Sequence, residues 1–218
     1  TKVLGEPKNM PTTTTLDHPL VDCLLTILRR SETGPAEFRK SVGQLAQLVA
    51  YEATKDLQTA DVSIDTPVQP TTGQELIQTI GVVPIIRAGI AMVDPVLELI
   101  PNSEVWHLGF YRDEETALPV HYYSKLPDAA PVDVALIVDP MLATGGSAVM
   151  AMEEIKKWGV KKIKMLAIVS APEGIANVHD NFPEVDIYTC VVDDRLNEKK
   201  YIVPGLGDAG DRIFNTLR

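Results

Sequence analysis

Cysteine is scarce in this chain, which has only Cys23 and Cys190 among its 218 residues. Two thiols so far apart in sequence do not make a disulfide framework, so a reducing, cytoplasmic setting is the simplest expectation. Long apolar runs are also lacking. Since no stretch approaches about 18 consecutive apolar residues, we expect neither a membrane-spanning helix nor a membrane partner.

Positive charge is in the minority, because 20 Lys and Arg residues face 30 Asp and Glu residues and give a formal net charge of -10. Such an acidic balance disfavours non-specific binding to nucleic acid. The four histidines are not spaced as metal ligands, so no metal site built by protein side chains is predicted. The chain's densest basic cluster is interpreted as a solvated helix end, and its members are Lys156, Lys157, Lys161, Lys162 and Lys164.

Hydrophobic periodicity divides the middle of the chain into alternating strands and helices. The predicted strands are 61–66, 82–86, 104–111, 134–138, 162–169 and 185–192. The predicted helices are 19–30, 36–57, 90–100, 148–158 and 173–182. This order predicts an α/β fold with a parallel sheet covered by helices on both faces, and ligands bind such sheets beyond the carboxyl ends of the strands.

The remaining segments carry turn-forming or polar residues. Residues 1–15 are predicted to be a flexible tail, because they contain two prolines and four consecutive threonines. A loop is predicted at 66–73 and turn-rich structure at 193–218.

The stretch Asp139–Ser147 stands between the apolar run 134–138 and a helical run. Its glycines allow backbone N–H groups to approach a ligand closely, and the start of the following helix favours an anion. A monophosphate held by 143–147, with a sugar against Asp139, therefore fits the pattern. An ordinary strand-to-helix turn capped by Ser147 fits it as well.

Two further segments are candidates for binding. Arg87 directly follows a buried strand and precedes Gly89, which is typical of a second anion site, although a structural arginine paired with an acid is the alternative. The segment Tyr201–Arg212 contains three glycines and could present main-chain groups to a small flat ligand, or simply cap the sheet. Arg112 lies among three acids, where a solvated ion pair is the default interpretation.

These residues together resemble the uracil phosphoribosyltransferase family. The stretch Val138–Ser147 resembles that family's loop for 5-phosphoribosyl diphosphate (PRPP), and Tyr201–Arg212 resembles its uracil-binding segment. Further matching segments are Asp17–Leu20, Ala50–Thr54, Ile86–Gly89, Tyr111–Asp113, Tyr122–Pro127 and Ala171–Gly174. The resemblance extends from about residue 16 to the end of the chain.

The resemblance implies a type I phosphoribosyltransferase fold in a single domain, 16–218. A central, mostly parallel sheet would be flanked by helices. A small hood would be built from about 16–35 and 193–218, and an extended β-arm would project from the domain. The implied reaction transfers the 5-phosphoribosyl group of PRPP to N1 of uracil and gives UMP and pyrophosphate.

The resemblance also implies roles for individual residues. The implied catalytic residues are Asp208 and Arg112. The implied PRPP-binding residues are Arg87, Arg112, Asp139, Pro140, Met141, Leu142, Ala143, Thr144, Gly145, Gly146, Ser147 and Asp208. The implied pyrophosphate loop is Arg87, Ala88 and Gly89. The implied uracil-binding residues are Ile202, Gly207, Asp208 and Ala209.

The implied cofactor is Mg²⁺, bound mainly through PRPP and water, and the implied assembly is a homodimer or a dimer of dimers. GTP is retained as a candidate effector, because some members of the family respond to a purine nucleotide. The alternative function is a regulator of the same fold that binds nucleotides or RNA with little catalysis. The net charge of -10 argues against RNA, and the intact uracil-binding segment argues against lost catalysis.

Overall fold

The structure, a computed structural model, describes residues 11–112, 119–124, 126 and 131–216, and describes 110–112 and 119–124 through their backbone alone. Its helices are α1 (Pro19–Arg29), α2 (Pro35–Ala53), α3 (Ile90–Leu99), α4 (Gly146–Trp158), α5 (Pro172–Asn181) and α6 (Ala209–Phe214). Its strands are β1 (Thr13–Thr15), β2 (Thr59–Asp65), β3 (Pro70–Leu76), β4 (Ile80–Ile86), β5 (Glu104–Val105), β6 (Leu108–Arg112), β7 (Pro119–Ser124), β8 (Val134–Val138), β9 (Met141–Leu142), β10 (Lys162–Ser170), β11 (Asp186–Val192), β12 (Arg195–Leu196) and β13 (Ile202–Val203).

The central sheet has the strand order β1-β11-β10-β8-β4-β6-β7. Every neighbouring pair along this path is parallel except β6 and β7, which are antiparallel. Parallel strands bring all their carboxyl ends to one edge, so the segments that follow β4, β8 and β10 meet there. The prediction of a mostly parallel sheet flanked by helices is confirmed.

Helices cover both faces of the sheet because the central strands are apolar on both sides. In β8, Leu136 contributes to a core formed with α1, α2, α3 and α6, whereas its neighbour Ile137 contributes to a core formed with α4 and α5. Alternate residues of a strand point to opposite faces, so one continuous apolar run supplies both cores. This packing fixes the end of β8, and hence Asp139, relative to the rest of the domain.

The predicted tail is wrong for its last residues, because Thr13–Thr15 form the edge strand β1. They pair in parallel with β11, from Thr13 opposite Ile187 to Thr15 opposite Thr189. Threonine is β-branched and suits a strand. However, these residues form a strand because they pair with the open edge of β11, and the local sequence gives no information about that edge. Residues 1–10 lie outside the described residues, and the proposed hood stays a prediction.

The predicted loop at 66–73 is also wrong for its second half, where β3 pairs with β2 along its full length from Pro70 to Leu76. Pro70 is the first residue of its strand, a position where a missing N–H is tolerated. The turn-rich segment 193–218 contains the short helix α6, and Asp208 caps its start through a hydrogen bond from the Asp211 N–H to Asp208 Oδ1.

The prediction that the basic cluster is a solvated helix end is wrong for Lys164, because this residue is fully buried in β10. Its ammonium group pairs with Asp56 and donates a hydrogen bond to the carbonyl oxygen of Ala53, the last residue of α2. Its Nζ also lies 5.5 Å from the centre of the Tyr188 ring. Lys164 therefore ties the end of α2 to the sheet. Across the part of the chain that the structure describes, no helix is long and apolar enough to cross a bilayer.

Candidate active site

The segment between β8 and α4 forms the floor of a cavity of about 150 Å³. We call it the phosphate-side cavity, after the ligand that the sequence predicts for this loop. Its lining is Asp139, Met141, Leu142, Ala143, Thr144, Gly145, Gly146, Ser147, Ala148 and Met165. The N-cap residue of α4 is Gly145, which has no side chain to cap the helix. The N–H of Gly146 makes only a long hydrogen bond, 3.5 Å, to Thr144 Oγ1. Because the first N–H groups of a helix have no partner within the helix, the start of α4 can present N–H groups to an anion in this cavity.

Glycine is required at position 145 by both conformation and space. Gly145 has φ 78°, in the left-handed region, and a Cβ there would lie 2.8 Å from the carbonyl oxygen of Gly174 at the start of α5. Helix α5 thus packs directly behind the loop. The side chain of Asn177, on the same helix, donates a hydrogen bond to the Thr144 carbonyl oxygen. These contacts hold the loop in one shape.

A second cavity, of about 330 Å³, adjoins the first. We call it the base-side cavity, because it contains residues that the family resemblance implies bind uracil. Its lining is Ala88, Asp139, Met141, Ala143, Lys200, Tyr201, Ile202, Gly207, Asp208, Ala209 and Gly210. Asp139, Met141 and Ala143 line both cavities. A ligand with two parts, one anionic and one flat, could therefore occupy both cavities and cross at Asp139.

Burial raises the pKa of the Asp139 carboxyl to about 7, and the charge of Asp208 acts in the same direction. A hydrogen bond from the Met141 N–H to Asp139 Oδ1, 3.2 Å long, opposes this rise because it favours the ionised form. Asp139 therefore titrates near neutral pH. Its ionised form suits a contact with sugar hydroxyl groups, because a carboxylate is a stronger hydrogen-bond acceptor than a neutral carboxyl.

The segment after β4 reaches the same edge of the sheet. Arg87 Nη2 lies 3.2 Å from Asp211 Oδ1 of α6, and both side chains are partly exposed. A Cβ on Gly89 would lie 2.4 Å from the Val138 carbonyl oxygen, so only glycine fits between β4 and the end of β8. This close approach brings Arg87 and Ala88 alongside Asp139's loop.

Comparison with known proteins agrees with this geometry. A family model described as uracil phosphoribosyltransferase matches residues 15–216. A uracil phosphoribosyltransferase from Roseiflexus castenholzii is 54% identical over 199 residues, covering 91% of this chain and 96% of the relative. One from Levilactobacillus brevis is 52% identical over 202 residues, covering 92% and 97%. The AQ2163 protein structure from Aquifex aeolicus has a TM-score of 0.88 and 38% identity, covering 93% of this chain and 98% of its own.

The chain belongs to the uracil phosphoribosyltransferase family. The resemblance inferred from the motifs is thereby confirmed, and so is the enzyme class, a transferase. The alternative, a nucleotide- or RNA-binding regulator, finds no support among these relatives.

Most residues that the family resemblance implicates lie at the two cavities. Ile202, Gly207, Asp208 and Ala209 line the base-side cavity together with Ala88. Pro140 lines neither cavity, because its carbonyl oxygen accepts hydrogen bonds from the N–H groups of Ile168 and Val169 in β10. Arg87 and Gly89 stand beside the base-side cavity rather than in its lining. The side chain of Arg112 lies outside the described residues.

Sequence reasoning missed several residues at this family site. Lys200 lines the base-side cavity and has φ 64°, in the left-handed region. The one signal in the sequence is its position immediately before Tyr201–Arg212, the segment that the resemblance implies binds uracil. Asn177 of α5 holds the Thr144 carbonyl oxygen, and Glu173, within the matched segment Ala171–Gly174, joins α5 to β12. Glu173 accepts a hydrogen bond from the Leu196 N–H, and no local pattern reveals such contacts between distant segments.

Proposed function

We propose that this protein transfers the 5-phosphoribosyl group of PRPP to N1 of uracil and gives UMP and pyrophosphate. Family membership supports the reaction, and one structural observation carries it: two cavities of different character meet at Asp139. The phosphate-side cavity suits an anion, and the base-side cavity is lined by glycine-rich backbone. UMP, which joins a 5-phosphate to a flat base through a ribose, matches this pair.

For the phosphate and the sugar, we assign the backbone of 143–147 to the 5-phosphate and the Asp139 carboxylate to the ribose hydroxyls. The start of α4, where Gly145 offers no capping side chain, supports the first role. The position of Asp139 between the cavities supports the second. For pyrophosphate, we assign Arg87 with the backbone of Ala88 and Gly89, assisted by Arg112.

For the base, we assign the Ile202 carbonyl oxygen and the backbone of 207–209, with Asp208 between uracil and PRPP. Uracil carries two carbonyl acceptors and two N–H donors, so a rigid backbone segment can match its edge. Cytosine differs in these groups and would leave buried donors or acceptors unpaired. This arrangement favours uracil.

In the reaction the bond from ribose C1 to pyrophosphate breaks, a bond from C1 to uracil N1 forms, and N1 releases its proton. The site's task is to align N1 with C1 and to stabilise charge on the leaving pyrophosphate. Within the described residues, no group of three or more His, Cys, Asp or Glu could hold a metal ion. Asp139 and Asp208 are two carboxylates at one cavity, which fits Mg²⁺ held mainly by substrate oxygens and water. When bound, Mg²⁺ neutralises charge on pyrophosphate.

A direct assay tests this function. Purified protein is mixed with PRPP, Mg²⁺ and one base at a time from uracil, cytosine, hypoxanthine and adenine, and nucleotide and pyrophosphate are measured. We expect UMP and pyrophosphate in equal amounts with uracil, and negligible product with the other bases or without PRPP. Absence of turnover with uracil would overturn the proposal, as would tight binding of pyrimidine-operon leader RNA in a gel shift without UMP formation. A cytoplasmic setting, a dimer-based assembly and a response to GTP stay predictions.

A further inference from the structure

Gly205, just before the proposed uracil-reading backbone of 207–209, is held by two charged side chains. Arg29 Nη1 donates a hydrogen bond to the Gly205 carbonyl oxygen at 3.0 Å. Asp193 Oδ2 accepts a hydrogen bond from the Gly205 N–H at 2.8 Å. Both backbone polar groups of this one residue are therefore bound by side chains.

The two side chains are also paired with each other. Arg29 Nη1 lies 2.9 Å from Asp193 Oδ2, and Arg29 Nη2 lies 2.6 Å from Asp193 Oδ1. This two-point geometry fixes both side chains more strongly than a single contact does. The Asp193 side chain is 4% exposed and that of Arg29 is 26% exposed. We call Arg29, Asp193 and Gly205 the Gly205 network.

Arg212 holds the next residue, Leu206. Its Nη1 donates to the carbonyl oxygen of Leu206 at 2.7 Å, and its Nη2 donates to that of Arg30 at 2.6 Å. Its guanidinium carbon lies 4.3 Å from the centre of the Phe38 ring, where an arginine is held by cation–π attraction. The end of α1 is thus joined to residues 205 and 206 by two independent arginines.

The Gly205 network does not touch the base-side cavity. Arg29, Asp193 and Gly205 are absent from its lining, whereas Gly207, Asp208 and Ala209 form part of it. The network spans the end of α1, the residue after β11 and the segment that leads into the cavity. Its effect on a ligand must pass through the backbone of 205–207.

We propose that Arg29 and Asp193 are positioning residues for base recognition, which set the place of the backbone groups of 207–209 by holding both polar groups of Gly205. The proposal rests on the proposed function, which assigns uracil to that backbone. Backbone groups that bind a base cannot readjust as a flexible side chain can. A small displacement of the backbone of 207–209 would therefore misalign several hydrogen bonds to the base together. A shift of about 1 Å at a reacting group can reduce rate by about 100-fold.

The deciding variant is Arg29→Lys. Lysine keeps the positive charge that buried Asp193 requires, but its single nitrogen cannot reproduce the planar fork that serves both carboxylate oxygens and the Gly205 carbonyl. We expect the KM for uracil to rise by about tenfold, which corresponds to one lost charge-assisted hydrogen bond. The KM for PRPP should stay within about twofold, since the loop 143–147 is untouched. The preference for uracil over cytosine should fall.

A second variant, Arg29→Gln, removes the charge and should show a larger rise in the KM for uracil. Circular dichroism is measured first. If this variant does not fold, Arg29→Lys alone decides. The matched control is Arg39→Gln, because Arg39 Nη1 also donates to a backbone carbonyl of the C-terminal segment, that of Ile213 at 2.7 Å, beyond the uracil-reading residues. The control should keep both KM values.

The proposal is overturned if Arg29→Lys leaves the KM for uracil unchanged while lowering the unfolding temperature. It is also overturned if the KM for uracil and the KM for PRPP rise together, because both results indicate a purely structural role. Failure of the proposed function is distinguishable, since the unchanged protein would then form no UMP. With an active parent protein, the ratio of the two KM values tests the network alone.

Discussion

Asn177 Nδ2 donates a hydrogen bond to the Thr144 carbonyl oxygen across a distance of 2.8 Å, and so joins α5 to the loop 143–147, which we propose binds the 5-phosphate. Asn177 is itself held by Asn181, whose Nδ2 donates to Asn177 Oδ1 at 3.1 Å. The Thr144 carbonyl is thereby directed toward α5. This leaves the start of α4 to present backbone N–H groups to the phosphate-side cavity, where we propose that the 5-phosphate binds.

Replacing Asn177 with alanine should weaken PRPP binding without affecting the base. Loss of one hydrogen bond of about 1 kcal/mol should raise the KM for PRPP by about fivefold. The KM for uracil, measured at saturating PRPP, should not change. Asn181→Ala is the control, and it should have a smaller effect because Asn181 does not contact the loop. Equal KM values for PRPP in Asn177→Ala and the parent would refute this role.

Two variants of Asp208 separate its capping role from its proposed catalytic role. Asp208 Oδ1 accepts the Asp211 N–H at 2.9 Å, and asparagine can cap a helix equally well. Asp208→Asn should therefore keep its unfolding temperature while kcat falls by about 100-fold, since the carboxylate is lost. Asp208→Ala should also lose the cap, worth about 1 kcal/mol, and unfold about 2–4 °C lower. Normal UMP formation by Asp208→Asn would contradict the catalytic role.

Asp139 should make PRPP binding dependent on pH. Its pKa is raised to about 7 by burial, so the carboxyl is largely protonated below that pH and ionised above it. Because the ionised form accepts hydrogen bonds from the ribose hydroxyls more strongly, the KM for PRPP should fall as pH rises from about 6 to about 8. Asp139→Asn should have a higher KM for PRPP without this pH dependence. A parent-like pH profile in the variant would assign the titration to another group.

The same group should affect stability in the opposite direction. A carboxyl whose folded-state pKa lies above its ordinary value of 3.8 keeps its proton in the folded protein while the unfolded chain has lost it. Its contribution to the unfolding free energy therefore falls as pH rises from 3.8 to about 7 and is constant at higher pH. Thermal unfolding of the ligand-free protein at pH 5 and pH 8 should show a smaller decrease for Asp139→Asn than for the parent.

Lys200 occupies a backbone conformation that glycine adopts more readily. Its φ of 64° costs a non-glycine residue about 1 kcal/mol, so Lys200→Gly should unfold about 2–4 °C above a glycine variant at a neighbouring position with ordinary φ. Lys199→Gly is the matched control, because Lys199 is not among the residues with positive φ. The control should be neutral or destabilising, as glycine gains freedom in the unfolded chain. Equal shifts for both variants would show that the backbone conformation is not the cause.

The parts of the site that the sequence predicts are those in which chemistry is local. The apolar run Val134–Val138 predicts a strand buried on both faces, and the glycines after it predict a close backbone approach at Asp139–Ser147. In the same way, the apolar run 82–86 predicts a buried strand, and Gly89 shortly after it predicts a close backbone approach. In each case the strand, the turn and the polar residues are consecutive, so periodicity and glycine content suffice to locate them.

The remaining features depend on contacts between distant segments. Thr13–Thr15 become a strand only because β11 offers an open edge, and Lys164 is buried only because Asp56 and the end of α2 reach it. Asn177 and Arg29 have ordinary local surroundings in the sequence. Their importance comes from partners 33 and 176 residues away, at Thr144 and Gly205. Single-sequence patterns carry no information on such pairs.

The burial of Lys164 makes this lysine a natural reporter for chemical labelling. Lys161 and Lys162 stand near it in sequence and are accessible, whereas the Lys164 ammonium is enclosed between β10 and the last carbonyl of α2. An amine-reactive reagent should modify the neighbours quickly and reach Lys164 only when α2 detaches from the sheet. The rate of labelling at this one residue would then measure how often that face of the domain opens.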